Sequence, residues 1–335
     1  MDATRTTPTM ADVAARAGVS HQTVSRVLNN QAAVSAATRA KVRAAIEDLG
    51  YRRNLAARTL ATGNSGIIGV LVSSTNLSGP SGSLLAIEQN ARSKGFWVSM
   101  ASLQGRGSQE VADVISHFID QGVDGLIAVA QTESALEATL RGAGDLPTVL
   151  VTSGAVDEGH STLDIDQAGG ARMAMTLLKG LGHTQIAHLA GPSYDLHAAA
   201  RLGAWRESLL EGDPGVCFEG DWSSNSGYLA MMTLLAQGNP PSAVFVANDQ
   251  MAFGALRALH EAGLRIPQDI SVIGFDDIDG SDCSFPPLTT IRQNHDALGE
   301  VAIELLVEAI NGLPARSVKI PAELITRSST GSPGR

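Results

Sequence analysis

Cysteine is almost missing from this chain: Cys217 and Cys283 are the whole complement in 335 residues. Two isolated thiols supply neither a disulfide framework nor the clustered ligand spacing of a zinc site. Aromatic residues make up 4% of the chain, which leaves little besides Trp222 and Phe275 for stacking a purine base. No stretch approaches the ~20 apolar residues that a membrane span needs. The opening "MDATRTTPTMADV" lacks both the cationic and the apolar segments of an export signal, so the cytoplasm is the expected location. A Walker loop, a GxSxG elbow and a His/Cys cluster of metal-binding spacing are also missing. Gly63, Gly66 and Gly69 have the wrong spacing for a dinucleotide turn. Asp276 and Asp277 are a conceivable acid–base pair, but adjacent residues after a strand usually point apart. The chain therefore reads as a non-enzyme with no cofactor and no metal.

What is present divides by charge. The chain carries 24 basic and 34 acidic residues, net -10. Residues 1 to 62 hold nine of the basic residues and four of the acidic ones, a local balance of +5, and the remainder stands at -15. A basic head can displace the counterions of a polyphosphate, whereas an acidic body repels it. Any nucleic-acid contact therefore belongs to the first 62 residues. The length exceeds one ordinary domain, and a hydrophobic fraction of 44% suits a soluble protein with sizeable cores.

The head opens with "MADVAARAGVSHQTVSRVLNN". Thr9 and Asp12 form a capping pair ahead of Met10, Val13, Ala14 and Ala17 at helical spacing. Gly18 stops that helix, and Ser20 caps a second whose Val24, Val27 and Leu28 face inward. A third helix runs from the Ser35 cap to Leu49, closed by Gly50. Two short helices about a tight glycine turn describe a helix-turn-helix. His21, Gln22, Thr23, Ser25 and Arg26 then face outward. Arg26 suits guanine O6 and N7 and Gln22 suits adenine, while hydroxyls and helix N-termini suit phosphates.

From Gly66 onward apolar runs alternate with amphipathic segments. "GIIGVLVSS", "FWVSMAS", "DGLIAVA", "TVLVTS", "IAHLAG", "SAVFVAND", "ISVIGFDD" and "SVKIPAELI" read as strands. Helices are expected near residues 83–94, 108–121, 133–141, 166–180, 198–210, 226–236, 250–262 and 296–311. Such alternation implies parallel sheets covered on both faces, in two similar lobes. Ligands of these sheets bind beyond the carboxyl ends of the strands. Arg201, Trp222, Asn248 and Asp276 all fall at such ends. An indole to cover a ring face, with bidentate polar groups for vicinal hydroxyls, suits a sugar. Asp249 and Asp277 read instead as structural caps.

These segments, with "VSAATRAKVRAAIEDLGY" and "NLAARTLATG", resemble the LacI/GalR family of bacterial transcriptional regulators from about residue 5 to 330. "LAGP", "GDWS", "VANDQMA", "GLRIPQDISVIGFDD" and "PPLTTI" extend the resemblance through the body. It implies a helix-turn-helix head over 1–52, a hinge helix over 53–64 and an effector-binding, dimerising body over 65–330. The body is expected to be periplasmic-binding-protein-like, with one lobe over 65–164 and 293–322 and the other over 165–292 and 323–330. In the family, paired hinge helices enter the minor groove and wedge a leucine between base pairs, a position matched by Leu60 with Ala57 one turn earlier. Arg53 stands where many members have proline. The DNA-contacting set implied is Thr9, Ser20, His21, Gln22, Thr23, Ser25, Arg26, Asn29, Ser35, Asn54, Ala57 and Leu60.

The implied effector set is Leu77, Gly79, Pro80, Ser83, Thr152, His197, Arg201, Trp222, Asn248, Asp276, Gln293 and His295. Within it Ser83, Thr152, His197 and His295, with Val129 nearby, depart from groups that related pockets carry, so the rim that selects the sugar is altered. The expected partners are palindromic double-stranded operator DNA and a sugar inducer, a galactoside or another glycoside. "RSSTGSPGR" lacks the leucine heptads of a tetrameriser, so a homodimer is expected. A soluble sugar-binding protein and a purine-corepressed regulator are the competing readings.

Overall fold

The head folds around capped helices, numbered with the other elements in chain order. Thr9 caps α1 (Met10–Ala17) reciprocally: its hydroxyl accepts from the Asp12 N–H at 3.4 Å while Asp12 Oδ2 accepts from the Thr9 N–H at 2.8 Å. Two donors orphaned by helix geometry are thereby satisfied. Gly18 ends α1 at φ 65°, a left-handed turn open to glycine without steric cost. Ser20 Oγ accepts from Thr23 N–H at 3.2 Å at the start of α2 (His21–Leu28), and Ser35 does the same for Thr38 at the start of α3 (Ala36–Leu49). Val13, Val24 and Val42, one from each helix, are wholly buried together with Val27, Ala45 and Tyr51. Each fully buried valine contributes about 1.5–3 kcal/mol.

The computed structural model describes residues 8–28, 34–52, 63–72, 78–103, 108–156, 159–238 and 240–334. Asn29, Asn54, Ala57, Leu60 and Leu77, and with them most of the expected hinge, lie outside the described residues. The chain divides into two units, Met1–Ser65 and Gly66–Arg335.

The second unit holds two parallel sheets. In the first lobe β1 (Ile67–Val72), β2 (Trp97–Ser102), β3 (Gly125–Val129), β4 (Thr148–Val151), β5 (Ser161–Ile165) and β11 (Ser317–Ile320) run in the order β11-β5-β4-β3-β1-β2. Alternation along the strands feeds two cores. Ile68, Val70, Ile127 and Val129 meet α4 (Ser78–Ser93) and α11 (His295–Ile310), whereas Leu71, Leu126 and Ala128 meet α5 (Ser108–Gln121) and α6 (Glu133–Ala143).

In the second lobe β6 (Ile186–Ala190), β7 (Cys217–Glu219), β8 (Ala243–Val246) and β9 (Ser271–Ile273) take the order β7-β6-β8-β9. Helices α7 (Gln167–Gly180) and α8 (Leu196–Glu207) cover one face, α9 (Ser224–Ala236) and α10 (Asp249–Glu261) the other. The last two cross on glycines: a Cβ at Gly254 would stand 1.8 Å from the Ser224 carbonyl oxygen, and one at Gly227 2.1 Å from that of Met251.

The backbone passes between the lobes three times. It leaves β5 for α7, returns from β10 (Thr290–Arg292) to α11, and leaves again between β11 and β12 (Glu323–Ile325), where β12 pairs antiparallel with β10. That last passage corrects the expectation of one strand over "SVKIPAELI". Pro321 has no N–H for a ladder, and the segment divides there between two sheets. Strands β5, β7 and β10 were not expected: β5 carries Asp164 within "STLDI", and the other two are three residues each. Helix α4 starts at Ser78, ahead of the expected 83. Pro80 is tolerated because first-turn N–H groups have no helical acceptor.

Candidate functional site

On α2 the side chains of His21, Gln22 and Arg26 are exposed, Thr23 and Ser25 are half-buried, and Val24 and Val27 anchor the opposite face. The helix thus presents a guanidinium and an amide from a rigid support. Thr9, Ser20 and Ser35 use their hydroxyls as helix caps, which fixes the helix N-termini that favour phosphate.

The second candidate site lies between the lobes, beyond the carboxyl ends of both sheets. Its centre is a ring of four side chains. Arg201, on α8 and 3% exposed, donates from Nε and Nη2 to Gln167 Oε1 at 2.9 and 2.7 Å. Gln167 Nε2 donates to Gln293 Oε1 at 2.9 Å, and Gln293 Nε2 donates to Asp276 Oδ1 at 2.6 Å. Asp276 Oδ1 closes the ring 3.5 Å from Arg201 Nη2. Arg201 also donates to the Ala247 carbonyl and lies over Phe275, its guanidinium carbon 3.7 Å from the ring centroid. Burial pushes the Asp276 carboxyl above the usual carboxylate range, opposed by Arg201, and lowers Arg201 from its ordinary value, opposed by Asp276. Gln167 and Gln293 sit on two of the three passages between lobes, so the ring ties the hinge to the cleft.

Trp222, Asp276 and Asp277 adopt φ of 73°, 114° and 54°, the positive-φ residues other than glycine among those described. Such conformations persist where surroundings over-determine them. Asn248 supplies part of that constraint. Its Oδ1 caps α10 through the Met251 N–H at 3.0 Å while its Nδ2 donates to the Trp222 carbonyl at 3.1 Å. The indole edge of Trp222 rests on Gly191, where a Cβ would stand 2.2 Å from the ring. Asp277 points away from the cleft, accepting from Arg292 and Arg327 at 2.7 Å each. Asp249, fully buried, accepts from Thr290 at 2.6 Å, Ser281 at 2.7 Å and the Ile278 N–H at 3.1 Å. Burial raises its carboxyl to about 7.

Two small cavities lie around the ring. One, about 30 Å³, is lined by Gly79, Pro80, Gln131, Asp195, His197, Arg201, Trp222, Asp276 and Gln293. The other, about 10 Å³, adds Ser83, Val129, Asp164 and His295. Ser83 Oγ lies 3.3 Å from His295 Nδ1, and burial lowers this imidazole to about 4, so it is neutral.

Of the expected effector residues, Gly79, Pro80, Ser83, His197, Arg201, Trp222, Gln293, His295 and Asp276 are brought together. Asn248 acts from behind as a cap. Thr152, 3% exposed, accepts from the Gly154 N–H at 3.0 Å and is not among the lining residues. Sequence reasoning missed Gln131, Asp164, Gln167 and Asp195. Gln131 follows β3 and Asp195 opens α8, positions the strand-end rule covers. Asp164 and Gln167 were hidden with the unrecognised β5. Among the described residues no group of three or more His, Cys, Asp or Glu is placed to hold a metal, and no helix is long and apolar enough to cross a membrane.

Comparison with known proteins agrees with this layout. Residues 9–54 match the bacterial regulatory proteins of the lacI family, and residues 161–330 match a periplasmic binding protein-like domain. The lactose operon repressor of Escherichia coli (strain K12) is 38% identical over 328 residues, covering 97% of this chain and 91% of that protein. A lac repressor dimer bound to operator and the anti-inducer ONPF superposes with a TM-score of 0.88 at 37% identity, over 97% of this chain and 100% of that one. The transcriptional regulator CelR in complex with cellobiose gives 0.72 at 32% identity, over 96% and 99% of the two chains.

Proposed function

Because the chain belongs to the lacI family of bacterial regulatory proteins, we propose that it represses a carbohydrate-utilisation operon and is released from its operator by a saccharide bound between the two lobes. The observation that carries this reading is the Arg201–Gln167–Gln293–Asp276 ring. Its donors and acceptors are of the kind that hold vicinal hydroxyls, and two of its members stand on the passages joining the lobes. A sugar hydroxyl that donates to Asp276, or accepts from Arg201, displaces Gln293 or Gln167 on a passage between the lobes. Ligand and lobe arrangement are then linked, since a guest shifts an equilibrium only by binding its two states unequally.

The DNA side of the proposal assigns base reading to Gln22 and Arg26 on α2 and phosphate contact to Thr23, Ser25 and the capped helix starts. Two heads on a homodimer read inverted half-sites, so the operator is a near-palindrome. The proposed organisation is a head over 1–52, a hinge over 53–64 and an effector body over 65–330. The protein works in the cytoplasm and has no enzymatic activity.

Selection of binding sites from a randomised duplex pool with the full-length chain tests the first half. The second half is tested by adding lactose, cellobiose and related saccharides to the selected complex and following fluorescence anisotropy. A palindromic consensus released by at least one saccharide supports the proposal. A consensus that no saccharide releases, or that a purine tightens, rejects the saccharide assignment.

A further inference from the structure

We propose that the cleft is built for an uncharged saccharide, one hydroxyl of which bridges Asp164 and His197 from opposite lobes, and that the corresponding sugar phosphate is refused. This rests on the saccharide-sensor reading above and specifies the chemistry within it.

Three buried side-chain polar atoms among the described residues have no hydrogen-bond partner: Asp164 Oδ1, His188 Nε2 and His197 Nε2. His188 belongs to the core of the second lobe. Its ring stacks on Phe245 and Trp205 at 4.6 and 5.4 Å, its Nδ1 donates to the Phe245 carbonyl at 2.9 Å, and burial lowers it to about 4. The other two orphans face one another 3.8 Å apart across the cleft. Asp164 comes from β5 of the first lobe and His197 from α8 of the second.

That separation is too long for a good direct hydrogen bond. It suits a hydroxyl oxygen about 2.8 Å from each atom, donating its proton to Oδ1 and accepting from Nε2–H. The Asp164 carboxylate is already aimed: its Oδ2 accepts from Ser153 at 2.8 Å, which turns Oδ1 towards the cavity. His197 lies one helical turn before Arg201 on α8, so the bridged hydroxyl neighbours the group held by Arg201 and Asp276. Adjacent hydroxyls of one ring fit both pairs at once.

Charge sets the class. Asp164, Asp195 and Asp276 line the cleft against one cationic guanidinium, that of Arg201, and His295 is neutral. The charge of Arg201 is already balanced by its ion pair with Asp276. A phosphoryl group, with a charge of about -1.5 to -2, would meet carboxylates and no uncommitted cation among the lining residues.

Calorimetric titration of the full-length protein with lactose, cellobiose, glucose and galactose, and with glucose 6-phosphate and galactose 6-phosphate, tests the assignment. A neutral sugar is expected to bind while its phosphate does not. Asp164→Asn and His197→Gln are each expected to weaken that sugar about 10- to 100-fold. A series of single-deoxy analogues guards against misfolded variants, because it is read on the unaltered protein. One deoxy analogue should lose the same factor, and lose nothing further against Asp164→Asn. A phosphate ester that binds more tightly, deoxy analogues that all bind like the parent sugar, or an Asp164→Asn protein with unchanged affinity each overturns the inference. Absence of binding by every saccharide, charged or neutral, overturns the sensor reading itself and this assignment with it.

Discussion

Arg201 lies over the face of Phe275, its guanidinium carbon 3.7 Å from the ring centroid, and holds Asp276 from that position. A planar cation that stacks and donates in several directions is not replaceable by a point charge. Arg201→Ala leaves the Asp276 carboxylate buried without its counter-charge. Loss of one partner of a buried pair costs about 3–5 kcal/mol, to be measured by urea unfolding. Arg201→Lys should recover part of that stability but not saccharide-induced release from DNA. An Arg201→Lys protein that responds like the parent would remove Arg201 from the proposed mechanism.

Asp249 gives the body a pH dependence whose sign is fixed. Its folded carboxyl titrates at about 7 against an unfolded value of 3.8, so between those values the folded state binds the extra proton. The stabilisation is complete below the unfolded value and lost as pH rises through the folded one, with a slope approaching about 1.4 kcal/mol per unit. Urea midpoints taken from pH 5 to 8 should decline in the parent and decline less in Asp249→Asn. Equal slopes in the two proteins would contradict this assignment.

The crossing of α9 and α10 leaves no room for a methyl group at either glycine. Gly254→Ala and Gly227→Ala should each destabilise by about 2–4 kcal/mol, through backbone displacement rather than lost burial. Gly203, inside α8, would meet nothing within 4 Å, so Gly203→Ala should stabilise by up to about 1 kcal/mol. Thermal unfolding of the three variants separates close approach from helix propensity.

On the head, Arg26→Ala should cost about 1–3 kcal/mol on the selected consensus and little on random duplex, if it reads a guanine bidentately. Removal of residues 1–62 should abolish duplex binding while leaving saccharide titration intact. Anisotropy at several salt concentrations checks both, because a base contact and a phosphate contact differ in salt slope.

Much of this was readable from residue order. The capping pair Thr9 and Asp12, the Gly18 stop, and the Ser20 and Ser35 caps are local chemistry, and local chemistry survives folding. The apolar runs of β1, β3, β4, β6 and β8 announced buried parallel strands for the same reason. What escaped notice depended on distant partners. Asp164 sits in β5 because neighbouring strands complete its ladder, although a carboxylate argues against a strand. Gln167 gained its importance from residues 34 and 126 positions away. Asn248 was expected as an effector contact, and its second part, capping α10 through Oδ1 while bonding the Trp222 carbonyl through Nδ2, came from the partners the fold brings to it.

The triple passage of the backbone limits what kind of message this molecule carries. A single connecting strand would permit twisting and sliding; three side by side act as parallel flexures, compliant about one axis and stiff about the rest. Guests of unequal bulk would consequently differ in how far they spread the jaws and hardly at all in the direction of travel.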